Sequence, residues 1–288
     1  TEFAFSTLVD LRLTETFRDS TRAYYLAKGG VTVGRGVLQL DTNEYTSRDE
    51  LWAQGVPNYP VGDGVVSVFI EDQGGRLDVN ALVDAADNVN PVVKLRFYRF
   101  FEVMGLEDPE GLTGAMIDWL DGNDVPYNDP DNNKAMIGAE SDYYLRLEPP
   151  YPCNDGPIAS LGELGLIRGF TPEVLQSVAP HLTVYGGTTI NVNTASAEVL
   201  MSLSEDPEID RDTAEAIIAR RDDEPYRSPD DLKELNDLPG MENLVRTPFG
   251  VTSTTFRIES EGGVGDGVRR IEAFVQKTGD KLLYIKVN

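Results

Sequence analysis

The run Thr254–Val287, TTFRIESEGGVGDGVRRIEAFVQKTGDKLLYIKV, reads as three strands joined by short turns. Phe256, Ile258 and Ser260 alternate with Arg257 and Glu259, the period of two that a half-buried strand requires. A glycine-rich turn spans 262–267. A second strand covers 268–278 with Ile271, Ala273 and Val275 on one side, and Gly279–Asp280 turns the chain into a third strand over 281–287. Consecutive strands on tight turns make an antiparallel meander, and its apolar face needs a covering layer.

The cover is found at the other end of the chain. Residues 2–28 read as a helix whose apolar face is Val9, Leu13, Phe17 and Tyr24, with Arg12, Glu15, Arg18 and Asp19 on a polar side. Gly29–Gly30 weakens it, and the pattern resumes through Val37, Leu38 and Leu40. Val65–Glu71, VVSVFIE, has the β-branched content of a strand. Gly74–Gly75 then turns into RLDVN at 76–80. The economical architecture is α+β, with the N-terminal helix packed on an antiparallel sheet built from 65–80 and 252–288. The domains expected are 1–80 plus 251–288, and an inserted all-α domain over 81–250.

Within the insertion, 92–104 is a helix rich in aromatics (Phe97, Tyr98, Phe100, Phe101), and 112–120 is a second. Most of those rings belong in a core. Ser160–Glu163 is a capping box, and Thr171–Pro172–Glu173 opens another helix. INVNTASAEVL at 190–200 runs from a short β-like pair into a helix that Thr194 or Ser196 can cap. Helical spacing recurs at Ala214, Ile217 and Ile218, and Ser228–Pro229–Asp231 opens a unit holding Leu232 and Leu235. This succession has the form of a helix-hairpin-helix. A nucleic-acid module of that type aims glycine-rich turns and basic residues at phosphate. Here the first turn, SEDPEIDRD at 204–212, carries five acids, and the second, LPGME at 238–242, keeps Gly240 but follows it with Glu242. The stretch therefore reads as a structural capped helix rather than a DNA reader.

Charge supports that choice. Over 288 residues, 49 acidic against 25 basic side chains give a net charge of −24. Such a surface repels phosphate and anionic lipid and favours cations and basic partner patches. One cysteine, Cys153, permits no internal disulfide, and the one histidine, His181, cannot build a zinc site with it. His181 reads as a packed or surface residue. No apolar run approaches the roughly 20 residues of a membrane-spanning helix. The chain opens Thr1–Glu2–Phe3 without an initiator methionine or signal sequence, and so reads as a fragment or a processed form.

The densest chemistry lies between 118 and 154. Asp118, Asp121, Asn123 and Asp124 are followed by Asp129, Asp131, Asn132, Glu140, Asp142 and Asn154 in a loop rich in Asn, Gly, Pro and Tyr. Calcium takes six to eight such oxygens from flexible loops, whereas many acidic runs are merely solvated. On the residues alone both readings stay open. The twelve-residue EF-hand pattern is absent, and Asp118, at a helix end, could equally be a surface residue. No GxSxG, P-loop or dinucleotide fingerprint accompanies these acids, and nothing selects one carboxylate pair for catalysis. The chain does not read as an enzyme.

Five segments occur in an order that is itself informative: DQGGRLDVN at 72–80, DWLDGND at 118–124, GAESDYY at 138–144, SLGELGLIRG at 160–169, and INVNTASAEVL at 190–200. Through them the chain resembles the minor pseudopilin K family of the type II secretion system, the general secretion pathway protein K family. The resemblance covers most of the chain. It implies a pseudopilin fold with a large inserted α-domain, and a non-enzymatic assembly role at the pseudopilus tip beside minor pseudopilins I and J, in protein export across the outer membrane. It also implies calcium in the inserted domain, for which Asp118, Asp121, Asn123, Asp124, Glu140, Asp142 and Asn154 are the candidate ligands. It further implies a periplasmic soluble part of a single-pass inner-membrane protein whose membrane-spanning helical segment is absent here. Gly29, Gly30, Gly34 and Gly36 depart from what a continuous helix favours and leave its end open. The alternative is a helix-hairpin-helix DNA-binding protein of a competence-like uptake system.

Overall fold

The structure is a computed structural model describing residues 2–128, 138–244 and 248–288. It divides into two compact units, Thr1–Gln73 with Thr254–Asn288, and Gly74–Ser253.

The first unit is one long helix, α1 (Glu2–Leu40), and a five-stranded antiparallel sheet. Its strands are β1 (Val56–Val61), β2 (Gly64–Asp72), β3 (Thr255–Val264), β4 (Gly267–Gln276) and β5 (Lys281–Val287), in that spatial order. Two of these strands and one expected strand differ from the sequence reading. Strand β1 is an exposed edge broken by Pro57 and Pro60, which hid its period. Strand β3 runs through Gly262–Gly263 to Val264, so the turn is confined to Gly265–Asp266. Residues 76–80 do not join this sheet. Leu77–Asp78 instead pairs in parallel with Leu182–Thr183 in the second unit.

Helix α1 is 39 residues long, about 58 Å at 1.5 Å per residue. It does not stop at the glycine pair. Its buried stripe is also not the expected one: Val9, Leu13 and Phe17 are exposed, and only Tyr24 of that set is partly buried. The sheet is met instead by Ala23, Ala27, Gly30, Val31, Gly34 and Leu38. Small side chains allow the helix backbone to lie close on β2 and β3. A Cβ at Gly30 would collide with Ser260 Oγ and Val68 Cγ2, and one at Gly34 with Ile258 Cγ2. The sheet also yields room, since a Cβ at Gly262 would strike the Ala23 carbonyl. Gly30 and Gly34 are thus contact residues, and the burial they permit outweighs a propensity cost of about 1 kcal/mol each, whereas Gly29 and Gly36 face open space.

Around that seam lie Trp52, Val66, Val68, Ile70, Phe256, Ile258, Ile271, Ala273 and Val275, with Trp52 edge-on to Phe256 at 5.2 Å. The late turns of α1 are pinned to the β4–β5 turn. Arg35 grips Asp280 through two bonds of 2.8 and 2.7 Å, Gln39 donates to the Lys277 carbonyl, and Lys277 pairs with Asp41. The chain leaves the sheet after Asp72 and returns at Thr255, where Gln73 N–H donates to the Thr255 carbonyl.

The second unit packs helices around an aromatic core. Helix α2 (Pro91–Val103) is capped by Asn90 and α3 (Pro109–Leu120) by Asp108, each with proline at its first position. Phe97, Phe100 and Phe101 are fully buried, and Phe101 meets Phe170 edge-on. Short helices α4 (Ser141–Tyr144), α5 (Pro172–Val178) and α6 (Ala197–Met201) follow, then α7 (Arg211–Asp223). Buried polar side chains tie the loops. Asp78 accepts from Gly186 and Gly187 amides, Asn80 bridges Ile158 and Val184, and Asn193 exchanges two bonds with the Tyr226 backbone. Of the two candidate caps at 190–200, Ser196 serves, accepting from Val199 N–H.

The two faces of α1 give a paired test. Gly30→Ala is expected to lower stability by about 1–3 kcal/mol through overpacking. Gly29→Ala, whose Cβ would meet nothing within 4 Å, is expected to raise it by up to about 1 kcal/mol. Urea unfolding midpoints measure both, and equal responses would contradict the close helix–sheet seam.

Candidate metal centre

Helix α3 delivers the first carboxylates. Its last turns, DWL at 118–120, point Trp119 and Leu120 into the core, and the same periodicity buries Asp118 completely. Asp118 is therefore not the surface residue its place near a helix end allowed. One oxygen, Oδ1, accepts from Tyr127 N–H at 2.8 Å, while Oδ2 is buried with no partner among the described residues. Asp121, the C-cap, is 4% exposed and accepts from Asn123 N–H at 3.3 Å.

The segment 138–140 closes over Asp118. Gly138 is required, because a Cβ there would overlap the Asp118 carboxylate. Ala139 is buried, and Glu140, 3% exposed, leaves both Oε1 and Oε2 without a partner among the described residues. Ser141 starts α4, and its hydroxyl accepts from Cys153 N–H at 2.9 Å, which brings 153–155 alongside. Glu140, Cys153 and Asp155 each place a ligating atom within 4.8 Å of the other two. Trp119 and Tyr144 pack edge-on at 5.1 Å.

The electrostatics follow from burial and like charge. Desolvation, opposed by the Tyr127 amide and reinforced by Asp121, pushes Asp118 up to about 7. Desolvation and the charges of Asp118, Asp121, Asp155 and Asp124 push Glu140 up to about 8. Asp121 is raised mainly by burial, with Asp87 and Asp155 adding to it. Carboxylates drawn together this way hold protons at neutral pH unless a cation takes their place. Unpartnered buried carboxylate oxygens are the donors a hard divalent cation uses.

The expected ligands divide. Asp118, Asp121 and Glu140 converge, and Asp124, although exposed, acts on Glu140. Asn123 is exposed and spends its side-chain oxygen on Val125 N–H. Asp142 is exposed on α4, and Asn154 turns its amide to the Gly156 carbonyl. Asp129, Asp131 and Asn132 lie outside the described residues. The sequence reading missed Cys153, Asp155 and Asp87. Asp155 adjoins the expected Asn154, and spacing alone does not separate the two. Asp87, whose carboxylate lies 3.3 Å from the place of a Cβ on Gly122, comes from a distant loop.

The helix-hairpin-helix-like run uses its cations internally. Arg221 donates to the Val192 and Ala195 carbonyls, and Arg220 pairs with Glu234 and lies over the Tyr226 ring. His181 is packed against Phe100 and bonded to Ser196 Oγ at 2.7 Å.

Comparison with known proteins gives consistent matches. Family profiles described as type II secretion system (T2SS), protein K match residues 75–187 and 190–252, together more than half of the chain. Type II secretion system protein K of Pectobacterium carotovorum subsp. carotovorum is 24% identical over 95% of this chain and 85% of that protein. The Aeromonas hydrophila protein of the same name is 24% identical over 96% and 88%, respectively. The Klebsiella pneumoniae protein is 28% identical over 62% of this chain and 55% of its own length. Among solved structures, a chain of the GspK-GspI-GspJ complex from the enterotoxigenic Escherichia coli type 2 secretion system superposes with a TM-score of 0.79 at 15% identity, over 96% of this chain and 99% of that one. That likeness establishes the shared α+β fold.

Because Asp118 and Glu140 are raised on folding, the metal-free folded state binds more protons than the unfolded chain. Their contribution to stability is full below the ordinary carboxylate range and is lost as the pH rises toward about 8. Chelator-treated protein is expected to melt at progressively lower temperature from about pH 5 to about pH 8, and Glu140→Gln to flatten the fall. A wild-type melting temperature independent of pH over that window would contradict the buried, unneutralised pair.

Proposed function

The chain belongs to the type II secretion system protein K family as a minor pseudopilin, and we propose that it is a non-enzymatic assembly subunit at the tip of the pseudopilus. Its partners in this reading are minor pseudopilins I and J, and it works on the periplasmic side of the inner membrane. The observation that carries the reading is architectural. A long helix lies on a five-stranded antiparallel sheet, with a whole helical unit inserted between neighbouring strands β2 and β3. The related fold is found in the GspK-GspI-GspJ complex. No helix among the described residues is long and apolar enough to cross a membrane.

The exposed first half of α1 suits assembly. Phe5, Val9, Leu13 and Phe17 fall at successive spacings of four along one ridge and are 39–75% exposed. Such a ridge is the contact one helix offers another. The acidic centre fits the same role as a structural node. Asp118, Asp121, Glu140 and Asp155 would hold calcium, which would supply the positive charge these carboxylates lack and tie α3, 138–140 and 153–155 together.

Co-expression with I- and J-type pseudopilins tests the reading. The expected result is a stable heteromer on size exclusion, weakened by Phe17→Asp or Leu13→Asp and unaffected by nuclease. Recovery of the chain as a monomer in the presence of both partners, or only with bound nucleic acid, would overturn it.

A further inference from the structure

The two edges of the five-stranded sheet differ. Strand β1 is closed by Pro57 and Pro60, which bring no N–H to a further strand. Strand β5, at the other edge, has no proline. Asn288 exchanges both backbone bonds with Arg270, at 2.8 and 3.2 Å. Antiparallel alternation then makes Glu272–Lys286 the next bonded pair, and leaves Ile285 and Val287 with N–H and C=O turned to the free edge.

The side chains of β5 sort onto two faces. Leu282, Ile285 and Val287 lie opposite Val275, Ala273 and Ile271, which are buried on the α1 side. They continue that apolar face yet are 41–49% exposed, because α1 packs on β2, β3 and β4 rather than over β5. Lys281 and Lys286 lie on the other face, across from Gln276 and Glu272. Both are exposed, and neither makes an ion pair or hydrogen bond among the described residues. The nearest acids are engaged elsewhere, Glu272 by Arg257 and Asp280 by Arg35. A chain of net charge −24 thus carries here a strand with two free cations and no acid.

We propose that β5 is a docking edge for an extended segment of a partner protein in which apolar residues alternate with Asp or Glu. Added as a further strand, the segment bonds to the backbone of Ile285 and Val287 and lays its apolar side chains beside theirs. Its carboxylates then stand on the face of Lys281 and Lys286. A second copy of this chain fits poorly, because its own β5 would bring two more lysines into the pairing and both copies carry −24. Screening over about 8 Å at physiological salt leaves the two lysines, rather than distant acids, as the charges a docked strand meets. The edge uses neither the exposed ridge of α1 nor the acidic centre.

The full chain, isotope-labelled for NMR, is titrated with two short synthetic peptides, one alternating valine with glutamate and one alternating valine with lysine. The glutamate peptide should bind saturably, with the largest amide shifts and slowed hydrogen exchange at Ile285 and Val287. Tyr284 and Lys286, whose amides already face β4, should change less. The lysine peptide should bind at least about tenfold more weakly, and Lys281→Glu with Lys286→Glu should reverse that order, since two cross-strand charge pairs change sign together. Ile285→Pro removes an outward N–H and no bond to β4, and should abolish binding while the melting curve shows an intact fold. If that variant does not fold, the charge reversal alone decides. No saturable shifts with the glutamate peptide, equal affinity for the two peptides, or shifts that lie away from β5 would overturn the proposal. A concentration-dependent dimer in sedimentation, lost in Ile285→Pro, would make a second copy the occupant and overturn it as well.

Discussion

An ionised carboxylate buried without a partner costs on the order of several kcal/mol, and a second beside it adds repulsion. Among the described residues Glu140 is in that position and Asp118 leaves one of its two oxygens so, and the local sequence is shaped around them. Asp118 cannot turn outward, because it lies on the stripe of α3 that also buries Met116, Ile117, Trp119 and Leu120. Glu140 is carried in by a segment whose Gly138 is the one residue that fits against Asp118. Ser141 and Cys153 then bring a third stretch beside them. Protons can neutralise the pair and a cation can do so better, since a cation also bonds oxygens from several segments at once.

The sheet unit solves a different problem. A helix of 39 residues must lie on a narrow sheet and still present a free apolar ridge. It does so by dividing the helix. From Asp19 onward small residues press the backbone onto β2, β3 and β4, and before it the large side chains Phe5, Val9, Leu13 and Phe17 stay exposed. Arg35 and Gln39 fasten the far end to the β4–β5 turn. The insertion leaves and re-enters at adjacent strand ends, so a large second unit adds no crossing connection to the sheet.

Much of this was legible in the residues. The alternation of Phe256, Ile258 and Ser260, and of Ile271, Ala273 and Val275, gave the meander and its covered face. The capping box at Ser160–Glu163 and the proline starts gave the helices of the insertion. What failed has a physical reason in each case. The buried stripe of α1 is made mostly of alanine and glycine, which a hydrophobic periodicity does not register, so the larger Val9–Leu13–Phe17 face reads as the core. Strand β1 was hidden by its prolines. In the acidic loop, composition does not tell which carboxylates converge, because convergence depends on which side chains turn inward. Asp142 and Asn154 turn outward, and Asp155, one residue on, turns toward Glu140.

A cation that takes the place of the protons held by Asp118 and Glu140 must release them. The direct measurement is proton release on calcium addition to chelator-stripped protein in weakly buffered solution near pH 7, read alongside calorimetric binding. Calcium should bind saturably and acidify the solution, because Asp118 sits at about 7 and Glu140 at about 8 before metal enters. The release should shrink in Glu140→Gln. Calcium that does not bind, or that binds without displacing protons, would contradict that exchange.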